Sequence, residues 1–257
     1  MNCLISAELY KLRHCRLLWC VPVIFAGIGI YYASWDFRIF GMYQGLEHLA
    51  LPTIGAEAFS FAVCIGTGYV IGLDFSQGTV RNILSVGTAR RTYYFSRMGV
   101  LLALTALMYG IAALAYAGGR LCFYPTTAVR PRMEEYWLKL AVCVGIAVLQ
   151  LMAKASVVHA VCYFVKKQLP AIGIGTALVY GEMILRPLAD MYGITFMRDI
   201  FDYEPIKVLK NTFDRYAVYD KLLTFDFLKF GISAAVIIVA SGAAGYVKFR
   251  YYPGRDS

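Results

Sequence analysis

Charged residues are scarce in this sequence. Asp, Glu, Lys and Arg make up 16% of the 257 residues, whereas a soluble domain usually contains about 25%. Hydrophobic residues account for 60%, and the mean hydropathy is +0.59. A water-soluble globule of this composition would expose large apolar patches. Several apolar runs also reach the roughly 20 residues that a helix needs to cross a bilayer, so the composition predicts an integral membrane protein.

Strict alternation of apolar and polar residues is missing as well. The apolar runs are continuous, which favours membrane-spanning helices over the strands of a β-barrel. Glycine is frequent inside these runs, as helix packing in lipid allows. We therefore expect an all-α integral membrane fold that forms a single transmembrane domain over residues 1–257.

The motifs that would indicate an enzyme, a metal site or a disulfide framework are also missing. The seven cysteines include no C-x-x-C pair, and the three histidines share no motif. No nucleophile–base arrangement or metal-ligand spacing occurs. The phosphate-binding motif G-x-x-x-x-G-K-[ST] does not occur either. We expect no catalytic residue, metal or cofactor in this chain, so that any ATP hydrolysis would belong to a partner.

The formal net charge is +9, which in a soluble protein would suggest a nucleic-acid partner. No basic patch is interleaved with base-stacking aromatic residues, so we expect no nucleic-acid binding. In a membrane protein, an excess of cations instead indicates orientation and contact with anionic lipids of the inner leaflet.

The apolar runs predict six spans, and the charges between them predict the orientation. An even number of spans places both termini on one side. The segments on that side would carry about 12 cations and three acids, so the positive-inside rule places both termini in the cytoplasm. The predicted spans are 17–35, 53–73, 98–118, 136–165, 169–188 and 225–247.

Two segments outside the spans have features of their own. Residues 1–16 fit a short amphipathic helix in the inner interface, with a cleaved signal peptide as the alternative. The external loop 190–224 is acidic and rich in aromatic residues. It would hold short amphipathic helices near the outer interface or form an ordinary solvated loop.

The basic segment between the second and third predicted spans is predicted to form a short helix, a glycine hinge and a second helix. Thr79 is a good N-cap, and Gly87 is a good stop, which predicts a helix over Val80–Val86. Thr88 would then cap a helix that starts at Ala89 and runs into the third span. Its arginines would attract anionic lipid or an acidic protein surface.

This pattern resembles the membrane subunits of ABC-2 type transporters. Those permeases carry an acid at the cytoplasmic end of the second span, then Gly-Thr, a short coupling helix, G-x-x-R, and Tyr-x-x-Lys/Arg at the start of the third span. The stretch "AELYKLRH" is similar to their N-terminal elbow helix. The coupling residues that the resemblance implies are Asp74, Gly78, Thr79, Arg81, Asn82, Gly87, Arg90, Arg91, Tyr94 and Arg97.

The resemblance implies a function and partners. The chain would be the permease subunit of a bacterial plasma-membrane exporter that moves an antimicrobial peptide, a drug or a lipid. The coupling helix, which lies within the coupling segment 75–97, would dock on a separate ATPase subunit, present in two copies, which binds ATP and Mg²⁺. A second copy of the permease, or a related permease, would complete the transporter. ATP-driven closure would then rotate the permease halves.

Ionisable residues inside predicted spans are costly and suggest function. Glu57, Lys139, Glu182 and Lys229 all fall in the outer half of the bilayer by the rise of a helix. They would line a substrate path, with Glu57 paired to Lys139, or the lysines would simply extend to the interface.

Two other classes of function stay open at this point. An ion-coupled secondary transporter would use Glu182, Lys154 and His159, although the inverted repeat typical of such proteins is not evident. A non-transporting membrane scaffold is the other alternative.

Overall fold

The computed structural model describes residues 22–34, 56–123, 133–193 and 224–252, and within these ranges every regular element is an α-helix. Two of the seven helices are short, and the other five have between 21 and 34 residues. The helices are α1 (Pro22–Ser34), α2 (Ala56–Ser76), α3 (Thr79–Ser85), α4 (Arg90–Phe123), α5 (Met133–Val165), α6 (Gln168–Met191) and α7 (Thr224–Arg250).

Four of these helices are long and apolar enough to cross a membrane, which confirms a helical integral membrane fold. The apolar stretches are Phe59–Ser76, Arg90–Phe123, Ala141–Val165 and Gly231–Arg250. Two further apolar helices, Pro22–Ser34 and Gln168–Tyr180, are shorter. The count of six spans therefore stays a prediction. The elbow helix (1–16) and nearly all of the external loop (190–224) lie outside the described residues.

Helix α4 is longer than a bilayer is thick. Its 34 residues extend about 51 Å at 1.5 Å per residue, whereas the hydrocarbon layer is roughly 30 Å thick. The ends of α4 therefore project into the polar zones of the membrane. Its first turn carries Arg90 and Arg91, cations that cost less free energy in those polar zones than in the hydrocarbon layer.

Helix α5 lies at the centre of the bundle, in contact with α2, α4, α6 and α7. Small residues let its neighbours approach closely. A Cβ atom built on Gly245 of α7 would lie 3.0 Å from Ala160 Cα, and one built on Gly175 of α6 would lie 2.9 Å from a methyl group of Val158. Helix α1 packs on α4 in the same way, because Gly119 lies against Ala33.

One end of the bundle is strongly basic. Helices α2, α5 and α7 end there, and α3 and the start of α4 lie there. Ten Lys and Arg side chains are described, and only Arg120 and Lys154 lie elsewhere. We call this the basic end; its cations are Arg81, Arg90, Arg91, Arg97, Lys166, Lys167, Lys248 and Arg250.

The α2–α6 contact depends on Gly68, which lies against Ile172, and on Gly72. Adding one methyl group at Gly72 tests this contact. A Cβ on Gly72 would lie 2.6 Å from Gln168 Cα, whereas Gly66 has nothing within 4 Å of its Cβ position. We expect Gly72→Ala to lower the free energy of unfolding by about 1–3 kcal/mol, because the two helices must move apart to fit the methyl group. Gly66→Ala on the same helix should be neutral or slightly stabilising. Thermal unfolding of the purified protein in detergent measures both, and equal midpoints would contradict the close contact.

Candidate functional site

The connection between α2 and α4 is compact and hydrogen-bonded throughout. The amide of Gln77 donates to the Leu73 carbonyl at 2.9 Å, and the Gly87 amide donates to the Leu84 carbonyl at 3.1 Å. Gly78 and Gly87 have φ values of 68° and 92°, in the left-handed region that glycine adopts without strain. Two tight turns therefore bracket α3, and both of its ends are held by the backbone.

The structure corrects the predicted helix starts. Thr79 is the first residue of α3, and the N-cap is Gly78, with no side-chain capping bond. The turn after α2 requires a positive φ at residue 78, and the Gly78 carbonyl accepts a hydrogen bond from the Asn82 amide at 3.1 Å. The prediction that Thr79 is the N-cap is therefore wrong. Helix α4 begins at Arg90, so Ala89, and not Thr88, precedes it.

Helix α3 has one buried side and one exposed side. Val80 is 1% exposed and anchors the helix against the bundle. Arg81, Asn82 and Ser85 are exposed, and Val86, directly after the helix, is 86% exposed. The helix thus presents polar and cationic groups, with one apolar residue at its tip, to the space beyond the basic end.

A buried ion pair connects the helices on either side of α3. The Arg97 guanidinium donates to Asp74 Oδ2 through Nε at 2.7 Å and through a terminal nitrogen. The Tyr93 hydroxyl donates to the same oxygen at 3.4 Å. Asp74 and Arg97 are 8% and 7% exposed. Since removing one partner of a buried pair leaves an uncompensated charge, this pair holds the end of α2 against the start of α4.

Aromatic rings surround the ion pair and join four helices. Tyr163 of α5 lies 5.2 Å from Phe75 of α2, 4.7 Å from Tyr94 of α4 and 4.9 Å from Phe249 of α7, between ring centroids. Such pairs contribute about 0.5–1.5 kcal/mol beyond the burial of their area. We call this group the aromatic cluster; its members are Phe75, Tyr93, Tyr94, His159, Tyr163, Phe249 and Tyr252.

Arg90 connects the start of α4 to the end of α7. Its terminal nitrogen donates to the Arg250 carbonyl at 2.8 Å. The last carbonyls of a helix have no partner within the helix, and a cation there is also favoured by the helix dipole. Arg91, the next residue, is exposed, so the two adjacent arginines have different surroundings.

Of the other ionisable residues named in the predicted spans, the structure describes the side chains of Lys154 and His159. Lys154 lies 5.7 Å from the ring centre of Tyr180 on α6, whereas His159 packs against Tyr94 and Tyr163. Lys154 and His159 therefore contact different aromatic rings. Among the described residues, no group of three His, Cys, Asp or Glu side chains could hold a metal ion. The side chains of Glu57, Lys139, Glu182 and Lys229 lie outside the described ones, so the Glu57–Lys139 pair stays a prediction.

Sequence reasoning missed several residues of the aromatic cluster, among them Tyr93, Tyr163 and Phe249. Tyr93 lies one turn before Arg97 on α4, a spacing at which helical residues share a face, so its role was detectable. Tyr163 and Phe249 lie on helices distant in sequence from the Asp74–Arg97 segment. No local pattern connects them to it, because their contact arises only when α5 and α7 pack.

The long apolar helices and the basic end define a multi-pass helical membrane protein. A comparison with family models is more specific: the model described as "ABC-2 family transporter protein" matches residues 4–182. The match covers well over half of the chain and includes α2, α3 and α4 entirely. The chain therefore belongs to the ABC-2 family of transporter membrane proteins. No curated protein matches it.

The ion pair predicts a coupled loss of stability. Asp74→Asn would leave a buried guanidinium without its counter-charge, and Arg97→Gln would leave a buried carboxylate without its own. Each single variant should therefore lower the free energy of unfolding by about 3–5 kcal/mol. The double variant removes both charges, so its loss of stability should be clearly smaller than the sum of the losses of the two single variants. Unfolding of the purified protein by denaturing detergent measures all three. Arg91→Gln, an exposed change on the same helix, is the control; strictly additive losses would show that the two side chains are not coupled.

The two adjacent arginines predict a local difference at the end of α7. Arg90→Gln removes a cationic cap and should cost the last turn of α7 about 1 kcal/mol of local stability. Arg91→Gln should not. Hydrogen exchange of the backbone amides near Arg250, followed by mass spectrometry, measures the opening of that turn. Equal exchange in both variants would contradict the Arg90 contact.

Proposed function

We propose that this chain is the permease subunit of an exporter that takes its energy from ATP hydrolysis in a separate ATPase subunit. Membership of the ABC-2 transporter family supports this proposal. The observation that carries it is the buried Asp74–Arg97 pair. The pair joins α2 to α4 on either side of α3, so that a force applied to α3 would act on both helices together.

The distribution of charge supports a cytoplasmic position for the basic end. Eight of the ten described Lys and Arg side chains lie there, and short cytoplasmic segments of membrane proteins are enriched in these residues. The same orientation exposes α3 to the compartment that contains ATP. Both termini would then lie in the cytoplasm.

Helix α3 is the proposed coupling helix. Its exposed Arg81 and Asn82, together with Val86 at its tip, fit a partner groove with acidic and apolar positions. Asp74 and Arg97 are buried, so their proposed role is internal: they carry movement from α3 into the bundle and do not contact the ATPase. Gly78 and Gly87 would let the helix tilt as a unit, since their left-handed turns mark its ends.

The assembly would contain two permease subunits, identical or related, and two ATPase subunits. The ATPase subunits would bind ATP and Mg²⁺. The substrate would be hydrophobic or amphipathic, as an antimicrobial peptide, a drug or a lipid is. Glu57, Lys139, Glu182 and Lys229 are proposed to line its path in the outer half of the membrane. An ion-coupled mechanism would need Lys154 and His159 in one site, and it is not favoured by their contacts with different rings, Tyr180 for Lys154 and Tyr94 for His159.

A charge reversal on α3 tests the proposed docking. Arg81→Glu would place a carboxylate where the partner groove is expected to be acidic, so ATP-driven transport and co-purification of the ATPase should be lost. Insertion and thermal stability should be unchanged, because Arg81 is exposed. Lys167→Glu makes the same charge change at the same end of the bundle, outside α3, and serves as the control.

Two results of this experiment would count against the proposal. One is full transport by the Arg81→Glu variant, which would show that α3 is not the coupling helix. The other is transport that persists without ATP and collapses with the proton gradient, which would favour a secondary transporter.

A further inference from the structure

Several buried polar atoms of the aromatic cluster have no hydrogen-bond partner. They are the hydroxyls of Tyr94 and Tyr163 and both ring nitrogens of His159. These three side chains are at most 1% exposed. Their rings form a closed triangle with centroid distances of 4.7, 4.8 and 4.9 Å. A group of unpartnered polar atoms is thus enclosed at the basic end.

The atoms around this triangle offer it no obvious partner. The Tyr94 hydroxyl lies against Gly245, where a Cβ would be only 2.2 Å away. Tyr163 faces the rings of Phe75 and Phe249. The nearby Asp74 carboxylate already accepts hydrogen bonds from Arg97 and Tyr93. The surroundings are therefore apolar or already engaged.

This arrangement is unfavourable in the state that the structure shows. Unpartnered buried polar groups destabilise a protein, and such groups need an explanation when they cluster. Phenylalanine at positions 94 and 163 would fill the same space without a polar atom. The hydroxyls are therefore better explained by a second state, in which they meet water or a polar group.

Helix α7 is the element that could produce this second state. Farther from its basic end, the Ser241 hydroxyl donates to the Ser156 hydroxyl of α5 at 2.7 Å. From Gly245 onward, α7 contacts α4 through the Arg90–Arg250 hydrogen bond and through the Phe249 ring, which lies 5.9 Å from Tyr93 and 6.1 Å from Tyr94. The last turns of α7 cover Tyr94 and Tyr163 with the Phe249 ring, so a displacement of these turns would uncover the triangle.

We propose that Tyr94, His159 and Tyr163 form an inner gate, closed in this structure, that opens to cytoplasmic water when the end of α7 moves away from α4 and α5. The gate borders the Asp74–Arg97 pair through Tyr93, whose ring lies 5.9 Å from Phe249. Movement of α3 would therefore reach it. The dependence of opening on ATP rests on the proposed function.

A native cysteine reports on the gate. Cys162 lies on α5 close to His159 and is 1% exposed, whereas Cys143, 3% exposed, lies in the other hydrophobic core cluster on the same helix. Two variants that each retain only one of these cysteines form a matched pair. The probe is a membrane-impermeant, cationic methanethiosulfonate reagent, added to the reconstituted permease with its ATPase, with and without ATP.

We expect ATP to increase the rate of Cys162 labelling about tenfold, because an open state of a few per cent would become a major one. The labelling of Cys143 should not change. If Cys162 stays protected while ATP hydrolysis and transport proceed, the gate is refuted and the proposed function stands. If ATP changes neither transport nor labelling, the proposed function is refuted.

A second arm tests the gate in the isolated chain, without ATP or a partner. The double variant Tyr94→Phe and Tyr163→Phe removes the unpartnered hydroxyls and should favour the closed state. We expect its basal Cys162 labelling to fall about fivefold and its thermal midpoint to rise. If the midpoint falls and labelling does not slow, the hydroxyls are satisfied by resident water in the closed state, and the gate is refuted.

Discussion

The contact between Asp74 and Arg97 is the interaction on which the basic end depends. Two charges that are each more than nine-tenths buried are tolerated only when they face each other with good hydrogen-bond geometry. Their pairing fixes the position of the end of α2 relative to the start of α4. The chain must therefore turn tightly on both sides of α3. The left-handed glycines at 78 and 87 are the residues that make so tight a path possible.

The aromatic cluster extends this local constraint to the whole bundle. Tyr163 contacts rings from α2, α4 and α7, and α5, which carries it, packs against every other long helix. Glycines at the helix contacts allow this close packing without large side chains between the backbones. A short surface helix is thereby connected, through stiff rings and one ion pair, to the centre of the membrane domain.

Much of this could be predicted from the sequence, and the limits have physical reasons. Continuous apolar runs and the positions of the arginines predicted a helical membrane fold and the segment between α2 and α4. Thr79 was misassigned because capping preferences describe an isolated helix start, whereas here a turn needs glycine at 78. The partner of Asp74 was not predictable from local spacing, since Arg97 lies 23 residues away. Tyr163 and Phe249 join the site only through the packing of α5 and α7.

The central claim is that the Asp74–Arg97 pair transmits movement from α3 into the membrane domain, and exchanging its charges tests this most directly. ATP-driven transport should be measured for Asp74→Arg, for Arg97→Asp and for the variant that carries both changes. The account predicts that each single reversal abolishes transport and that the exchange restores a clear part of it, because the opposite charges meet again. Full transport by either single variant, or an exchanged variant that folds and inserts yet transports no better than the single ones, would contradict it.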